Sequence, residues 1–479
     1  MELTFIGYAQ LLIGLAIMVA GGLRHAFLFL MLSGLLGGSA AIVLPSLGGS
    51  SIPPSHFALL FVYFRILAPR GGFLGEIAPA LQANRWLVLF TFYGVASAII
   101  APRLFAGQMH VFPMRPVAIN SLFQTILLKP TSQNVTASVY LAGAMLIAVA
   151  SWIACRAPRG ARTLVSSTLW ITWLHVATGL AALATRGTPA DAVFEIFRNG
   201  AYLQLDDDVA GFVRIRGVFP EASSYAAFGF CLFVANVELW YRSVRSRATG
   251  LAALAVAAVL FFSTSSTAYV SLGAYVLFFV LRAFLLPRAA DPRKIRTALA
   301  TAAGSALLFA LVMASMPSMG ERTLDMLAQM TVEKSHTDSA AQRLFWAAQG
   351  WNVFVQSYGL GVGAGSFRSS SLFLAILGSM GVVGFFSFLL YLFEVFQPWK
   401  RSSWGRTPDS DAALGGAFAS AALLSLIPAA MNSANAHPGT SFAIYAGGAL
   451  ALRGLRVRRG GRADGYPQAP GPALSVRVV

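Results

Sequence analysis

Apolar runs of membrane-spanning length recur along most of this chain, and they limit its fold more than any other feature. They occupy about residues 3–21, 26–44, 86–101, 134–154, 163–185, 218–240, 248–262, 267–284, 298–315, 371–397, 411–433 and 438–452. A hydrocarbon core takes roughly 20 apolar helical residues to cross. Backbone polar groups inside it must be bonded internally, which leaves helices and closed barrels. These runs are continuous and do not alternate, so they argue for helices and against a β-barrel. The expected fold class is an all-α polytopic membrane protein with twelve transmembrane helices. The run Pro53–Ala68 is short and contains Arg65; it is either a thirteenth span or an interfacial or re-entrant piece. Only 11% of residues are charged and 57% are hydrophobic, where a soluble domain carries about 25% charge. The run from Leu3 lacks a basic leader and reads as a first transmembrane helix, not a cleaved signal.

Charge sets the orientation. If the helices alternate, segments 155–162, 241–247, 282–297, 398–412 and the tail after Leu452 share one side. They hold 20 Lys and Arg against four acids. The loops at 102–133, 186–221 and 316–370 lie on the other side, with 11 basic and 10 acidic residues. The first set is therefore expected to be cytoplasmic and the three long loops extracytoplasmic. Twelve spans put both termini inside, whereas thirteen put the N-terminus outside. The net charge of +17 reads as this positive-inside bias and not as a nucleic-acid surface. Residues 1–452 are expected to form a single transmembrane domain. Residues 453–479 read as a disordered cytoplasmic tail whose arginines touch anionic lipid. Cys155 and Cys231 lie in apolar segments and give neither a disulfide framework nor a zinc spacing.

Chemistry is expected on the outer face, where the longest polar interruption, Pro317–Ser371, is found. Three stretches there could meet an anion. The first is Arg214-Ile-Arg216-Gly-Val-Phe-Pro220-Glu221-Ala-Ser223-Ser-Tyr225. Pro220 and Glu221 open a helix whose free N–H groups, with Arg216 about one turn upstream, suit phosphate. Glu221 is either a general base or only a helix cap paired with Arg216. The second is a helix from Thr337 or Asp338 through Arg343, Trp346 and Phe354, with a composition suited to the membrane interface. His336 could transfer a proton there and Arg343 could hold phosphate bidentately. The bland alternatives are a solvated histidine and a headgroup contact. The third is the run Gly359-Leu-Gly361-Val-Gly363-Ala-Gly365-Ser366-Phe-Arg368, followed by serines that can cap the next helix. It is either a ligand-approaching loop or a flexible re-entry turn. His437, in the short turn from Asn432 to Pro438, ranks below His336. Asp206-Asp207-Asp208, the one carboxylate run, could hold a cation but reads first as a solvated loop. No Walker A, HExxH, EF-hand or nucleophile-elbow pattern occurs, and the glycine run does not fit GxGxxG.

At these residues the chain resembles bacterial O-antigen polymerases and ligases and the related exopolysaccharide polymerases. Arg214, Gly217, Phe219, Glu221 and Ser223 match an Arg-x-x-Gly-x-Phe-x-Glu-Pro-Ser pattern, with Ala222 in place of the usual Pro. Ser263-Thr-Ser-Ser-Thr-Ala-Tyr269 is similar to the serine-rich segment that follows. Arg343 through Ser371 is similar to the family's Arg, aromatic helix and Gly-x-Gly-x-Gly-Ser-Phe, although Ser357-Tyr358 replaces the common His-Pro. The resemblance implies a GT-C-like, metal-independent membrane glycosyltransferase without a cofactor, in the bacterial inner membrane. The donor would be a polyprenyl-diphosphate-linked oligosaccharide and the acceptor a sugar hydroxyl. Arg214, Arg216, Arg343 and Arg368 would face the diphosphate. Glu221 or His336 would be the base, and Gly363, Gly365, Ser366 and His437 would make acceptor or loop contacts. Membrane lipids, a chain-length regulator and a flippase are the other implied partners. A ligase that moves finished glycan to lipid A core or protein is the alternative within enzymes. A lipid-linked glycan flippase or transporter is the alternative outside them, though no inverted repeat is evident.

Overall fold

The computed structural model describes residues 1–45, 50–115, 123–200, 208–209, 212–287, 290–315, 338–405 and 407–453. The described chain is predominantly helical, with only short strands. In order, the elements are β1 (Glu2–Leu3), α1 (Phe5–Ala20), α2 (Leu23–Ser33), β2 (Ile42–Leu44), β3 (Ser50–Ile52), α3 (Pro54–Leu67), α4 (Ile77–Ala83) and α5 (Arg85–Leu104). A hairpin, β4 (His110–Val111) with β5 (Ile126–Leu127), leads to α6 (Ser132–Arg156), α7 (Gly160–Ala184) and α8 (Ala192–Phe197). The pair β6 (Asp208–Val209) and β7 (Phe212–Val213) precedes α9 (Ala222–Tyr241), α10 (Ser246–Phe262), α11 (Ser266–Leu285) and α12 (Pro292–Ser315). The chain closes with α13 (Asp338–Gln356), α14 (Leu372–Phe396), α15 (Arg401–Trp404), α16 (Ser410–Leu424), α17 (Leu426–Asn432) and α18 (Thr440–Arg453).

Among the described residues eight helices are long and apolar enough to cross a membrane, counting α16 and α17 as one, and four shorter helices are also apolar. The chain is therefore a multi-pass, all-α membrane protein. One expected run is corrected: residues 26–44 do not form a single helix. The helix ends at Ser33, and Ile42–Leu44 pairs antiparallel with β1 and β3. Gly37 and Gly38 interrupt it because a side chain there would meet Phe219 at 2.9 Å and the Val218 carbonyl at 2.7 Å. The run expected at 438–452 is the 14-residue α18.

Polar caps explain several boundaries. Thr4 Oγ1 accepts the Gly7 N–H (3.1 Å) at the start of α1, and Asp409 accepts from Asp411 and Ala412 at the start of α16. The Thr131 N–H donates to Asn134 Oδ1 (2.8 Å) at the start of α6.

The core is centred on α18, which packs closely on α6 and α16, while α16 packs in turn on α9. Small residues permit that approach, as is general where lipid supplies no hydrophobic drive. A Cβ on Gly447 of α18 would lie 2.1 Å from the Ala148 carbonyl of α6. Helix α12 buries none of its residues and lies outside this core. The starts of α1, α3, α6, α9 and α14 gather at one end of the bundle, here the motif end. There Thr136 Oγ1 donates to Ser50 Oγ (2.7 Å) and Tyr140 Oη to the Ser51 carbonyl (2.7 Å). At the opposite end Arg65 of α3 donates to the Ile17 carbonyl (2.6 Å) and to that of Met18 at the finish of α1.

Candidate functional site

The glycine run builds the floor of the motif end. Gly359, Gly361, Gly363 and Gly365 have φ of +80°, +81°, +92° and +84°, a region closed to most side chains. Alternating with ordinary residues, they lay an irregular strap across the bundle. A Cβ on Gly363 would meet the Ser97 carbonyl of α5 at 2.7 Å, and one on Gly365 the Gln133 carbonyl at 2.2 Å. The strap docks at a kink in α14, where Gly381 leaves helical geometry (φ 57°, ψ −154°). Val362 and Gly363 N–H groups donate to the freed Gly378 and Ser379 carbonyls, both at 2.9 Å. Asn134 Nδ2 donates to the Ala364 carbonyl and to Ser366 Oγ, both at 2.9 Å. Gly363, Gly365 and Ser366 are thus buried against protein, and the strap leads on to the half-buried Arg368.

Arg368 is the residue at which the three stretches meet. Its backbone N–H donates to the Phe112 carbonyl (2.9 Å), beside the β4–β5 hairpin. Its guanidinium lies over the Trp346 ring, 4.4 Å from the centroid. Glu221, the residue before α9, is within electrostatic reach of it. Burial lowers the Arg368 guanidinium below the usual arginine value, and Glu221 works against that shift. Arg368 Nε and Trp346 Nε1 are both buried and have no hydrogen-bond partner among the described residues. Two adjacent buried donors left unsatisfied are costly in the free protein and mark a place for an acceptor.

Arg343 lies one turn before Trp346 on α13, and its backbone carbonyl accepts from Ser370 Oγ (2.5 Å). Gly350, a further turn along the same face, lets α13 approach the Leu374 carbonyl of α14. Glu221 presents Oε2 to Ser223 Oγ (2.8 Å) and makes no side-chain cap bond to the helix. Arg216 approaches Glu195 at 3.7 Å, so the expected Arg216–Glu221 pair is replaced by one with α8. Arg214 lies within electrostatic reach of Tyr269, which joins the serine-rich stretch to the first motif. In that stretch Thr264 has φ +47°, rare for a β-branched residue, and the Thr264 and Ser265 hydroxyls are buried without a hydrogen-bond partner among the described residues.

His437 occupies a neighbouring position at the same end. Its Nδ1 accepts the Gly439 N–H (3.1 Å), so the neutral ring carries its proton on Nε2. Burial, with His56 nearby, lowers its imidazole to about 4. Tyr140 packs between the His56 and His437 rings, 5.5 Å from each. His336 lies outside the described residues, as do Asp206 and Asp207. Among the described residues no group of three His, Cys, Asp or Glu is placed to hold a metal.

Two parts of the site were missed by the sequence reading. Arg198 donates to the Gly217 carbonyl through Nε (3.1 Å) and Nη2 (2.7 Å) and pairs with Glu195 (2.9 Å). It is 5% exposed, and burial and then Arg216 lower its guanidinium below the usual arginine value. The segment 37–40 braces the motif from below, with Ala40 N–H donating to Asn199 Oδ1 (2.8 Å) and Ser39 Oγ to the Phe197 carbonyl (2.5 Å). Neither carries a plain local signal: Arg198 acts on the Gly217 backbone 19 residues on, and Ser39 and Ala40 bond to residues 158 and 159 positions away.

No family model matches this sequence, and a comparison with curated proteins finds no match.

Proposed function

We propose that this protein is a membrane polysaccharide polymerase. It transfers glycan from a polyprenyl diphosphate to an acceptor sugar hydroxyl at the extracytoplasmic face of the bacterial inner membrane. The observation that carries this reading is the pair of unsatisfied donors, Arg368 Nε and Trp346 Nε1, buried beside Glu221 and next to Arg343. A diphosphate offers the acceptor oxygens and negative charge that those donors lack. Arg343, Arg368 and Arg216 hold the diphosphate. Glu221 takes the proton of the acceptor hydroxyl through Oε1, while Ser223 occupies Oε2. The hydroxyl oxygen bonds to the anomeric carbon as the bond from that carbon to the diphosphate breaks. The electron pair leaves with polyprenyl diphosphate, whose charge the arginines stabilise. His437 donates from Nε2 and does not act as the base.

The membrane arrangement belongs to the same reading. Strand β1 pairs with β2 at the motif end, and Arg65 ties the ends of α1 and α3 at the opposite one. Both favour α3 as a full crossing and hence thirteen passes; with the loop-charge bias the N-terminus is then outside and the C-terminus inside, in a bundle we take as GT-C-like. The test is the lipid-linked glycan profile of cells lacking the protein. Accumulated single repeat units support a polymerase. Long unligated chains mean a ligase, and an unchanged profile overturns transfer altogether.

A further inference from the structure

A second feature lies at the opposite end of the molecule, independent of the glycan site. The turn between α1 and α2 and the turn between α6 and α7 enclose a recess of about 230 Å³. Its walls are apolar and include Leu23, Phe27, Phe73, Ala154 and Pro158. It is smaller than the roughly 300–1,000 Å³ that encloses a whole small ligand, so it suits part of an amphiphile whose remainder stays in the bilayer.

The rim is cationic. Arg24 and His25 border the recess, and Arg159 and Arg162 lie on the adjoining turn; all four are exposed. His25 Nδ1 accepts the Gly22 N–H (3.3 Å), which leaves Nε2–H as an outward donor. The neighbouring carboxylate, Glu76, is held by Arg156 at 3.3 Å, and Arg156 in turn covers Trp152. Among the described residues no carboxylate pairs with Arg24, Arg159 or Arg162. An apolar slot with an uncompensated cationic rim, at the end where the basic loops collect, matches one ligand chemistry in two parts.

We propose that this recess is a binding site for an anionic phospholipid. One acyl chain enters between Leu23, Phe27 and Ala154, and Arg24, His25 and Arg162 hold the headgroup phosphate. The bound lipid clamps the α1–α2 turn to the α6–α7 turn and raises the stability of the bundle.

The experiment uses the full-length protein, delipidated in detergent and titrated with dioleoyl phosphatidylglycerol or dioleoyl phosphatidylcholine. Lipid retention is read by native mass spectrometry and the unfolding midpoint by intrinsic fluorescence. Phosphatidylglycerol is expected to bind at least tenfold more tightly and to raise the midpoint. The double variant R24Q/R162Q removes exposed charges only and should erase the preference. Ala154→Leu fills the recess and should weaken retention of both lipids while R24Q/R162Q stays folded. Equal retention of the two lipids by the unaltered protein overturns the proposal. So does unchanged phosphatidylglycerol retention in R24Q/R162Q. Displacement of the lipid by millimolar inorganic phosphate would reduce the site to a simple anion contact and overturn the acyl-chain part.

Discussion

Replacing Trp346 by Phe keeps a ring under Arg368 and removes only the indole N–H. If that N–H meets a diphosphate oxygen, the loss is that of one hydrogen bond to a charged group, about 1.5–3 kcal/mol. Trp346→Phe should therefore slow polymerisation roughly ten- to hundredfold in membranes supplied with lipid-linked donor, with protein level unchanged. Arg343→Ala and Arg216→Ala should abolish long polymer at normal protein level, and normal polymer length in both would refute their assignment. His437 gives a pH prediction. Its imidazole, free in the unfolded chain, titrates near 6.5, and in the fold it is lowered to about 4. Its neutral form is thus the native one. Stability is intact above 6.5 and falls as pH drops from there towards 4, because the unfolded chain takes up the proton first. His437→Asn keeps an acceptor for the Gly439 N–H without a titrating ring and should flatten that loss in thermal unfolding across pH 4–7.

At the scale of elements, the strap from Gly359 to Arg368 decides where the candidate site side chains sit. Sequence showed the glycines and left two readings, a ligand-approaching loop or a re-entry turn. Their packing makes them a brace between α5, α6 and the kink of α14. Gly365→Ala should cost about 1–2 kcal/mol from its left-handed backbone alone. The Gln133 carbonyl, 2.2 Å from the new Cβ, should raise that cost further. A lowered unfolding midpoint together with lost polymer would support the brace, whereas wild-type stability would contradict it. The helix α13 was legible from its cap and aromatic pattern. The break after Ser33 was not, because its cause is contact with Phe219 and Val218 far along the chain.

For the whole molecule, the two ends carry different electrostatics. At the end opposite the motif, Glu238 accepts from Tyr275 (2.8 Å) and from Arg282 (2.9 Å) and also pairs with Arg242. Arg242 reaches the Ser402 and Ser403 carbonyls, and Arg453 the Val395 and Phe396 carbonyls, so α9, α11, α14, α15 and α18 are tied together. Glu238→Gln would leave buried arginines uncompensated, which costs about 3–5 kcal/mol. The expected result is loss of monodisperse protein on size exclusion of detergent extracts. Labelling of Glu2→Cys from outside intact spheroplasts should succeed if thirteen passes are present, and protection would return the count to twelve. By itself the sequence determined the class of fold: continuous apolar runs leave helices as the available solution in lipid. The biased charges of the loops set an expected orientation. The residues from Arg214 to Tyr225 and from Arg343 to Arg368 stood out because polar groups are scarce here. Only the tertiary structure decided that Arg368 lies over Trp346 beside Glu221, that Arg198 holds the Gly217 turn, and that Gly363 and Gly365 are packing residues. Those are contacts between residues that lie well beyond one helical turn of each other, up to the reach from Glu221 to Arg368, or choices made by neighbouring backbone, and one-dimensional patterns carry no record of either.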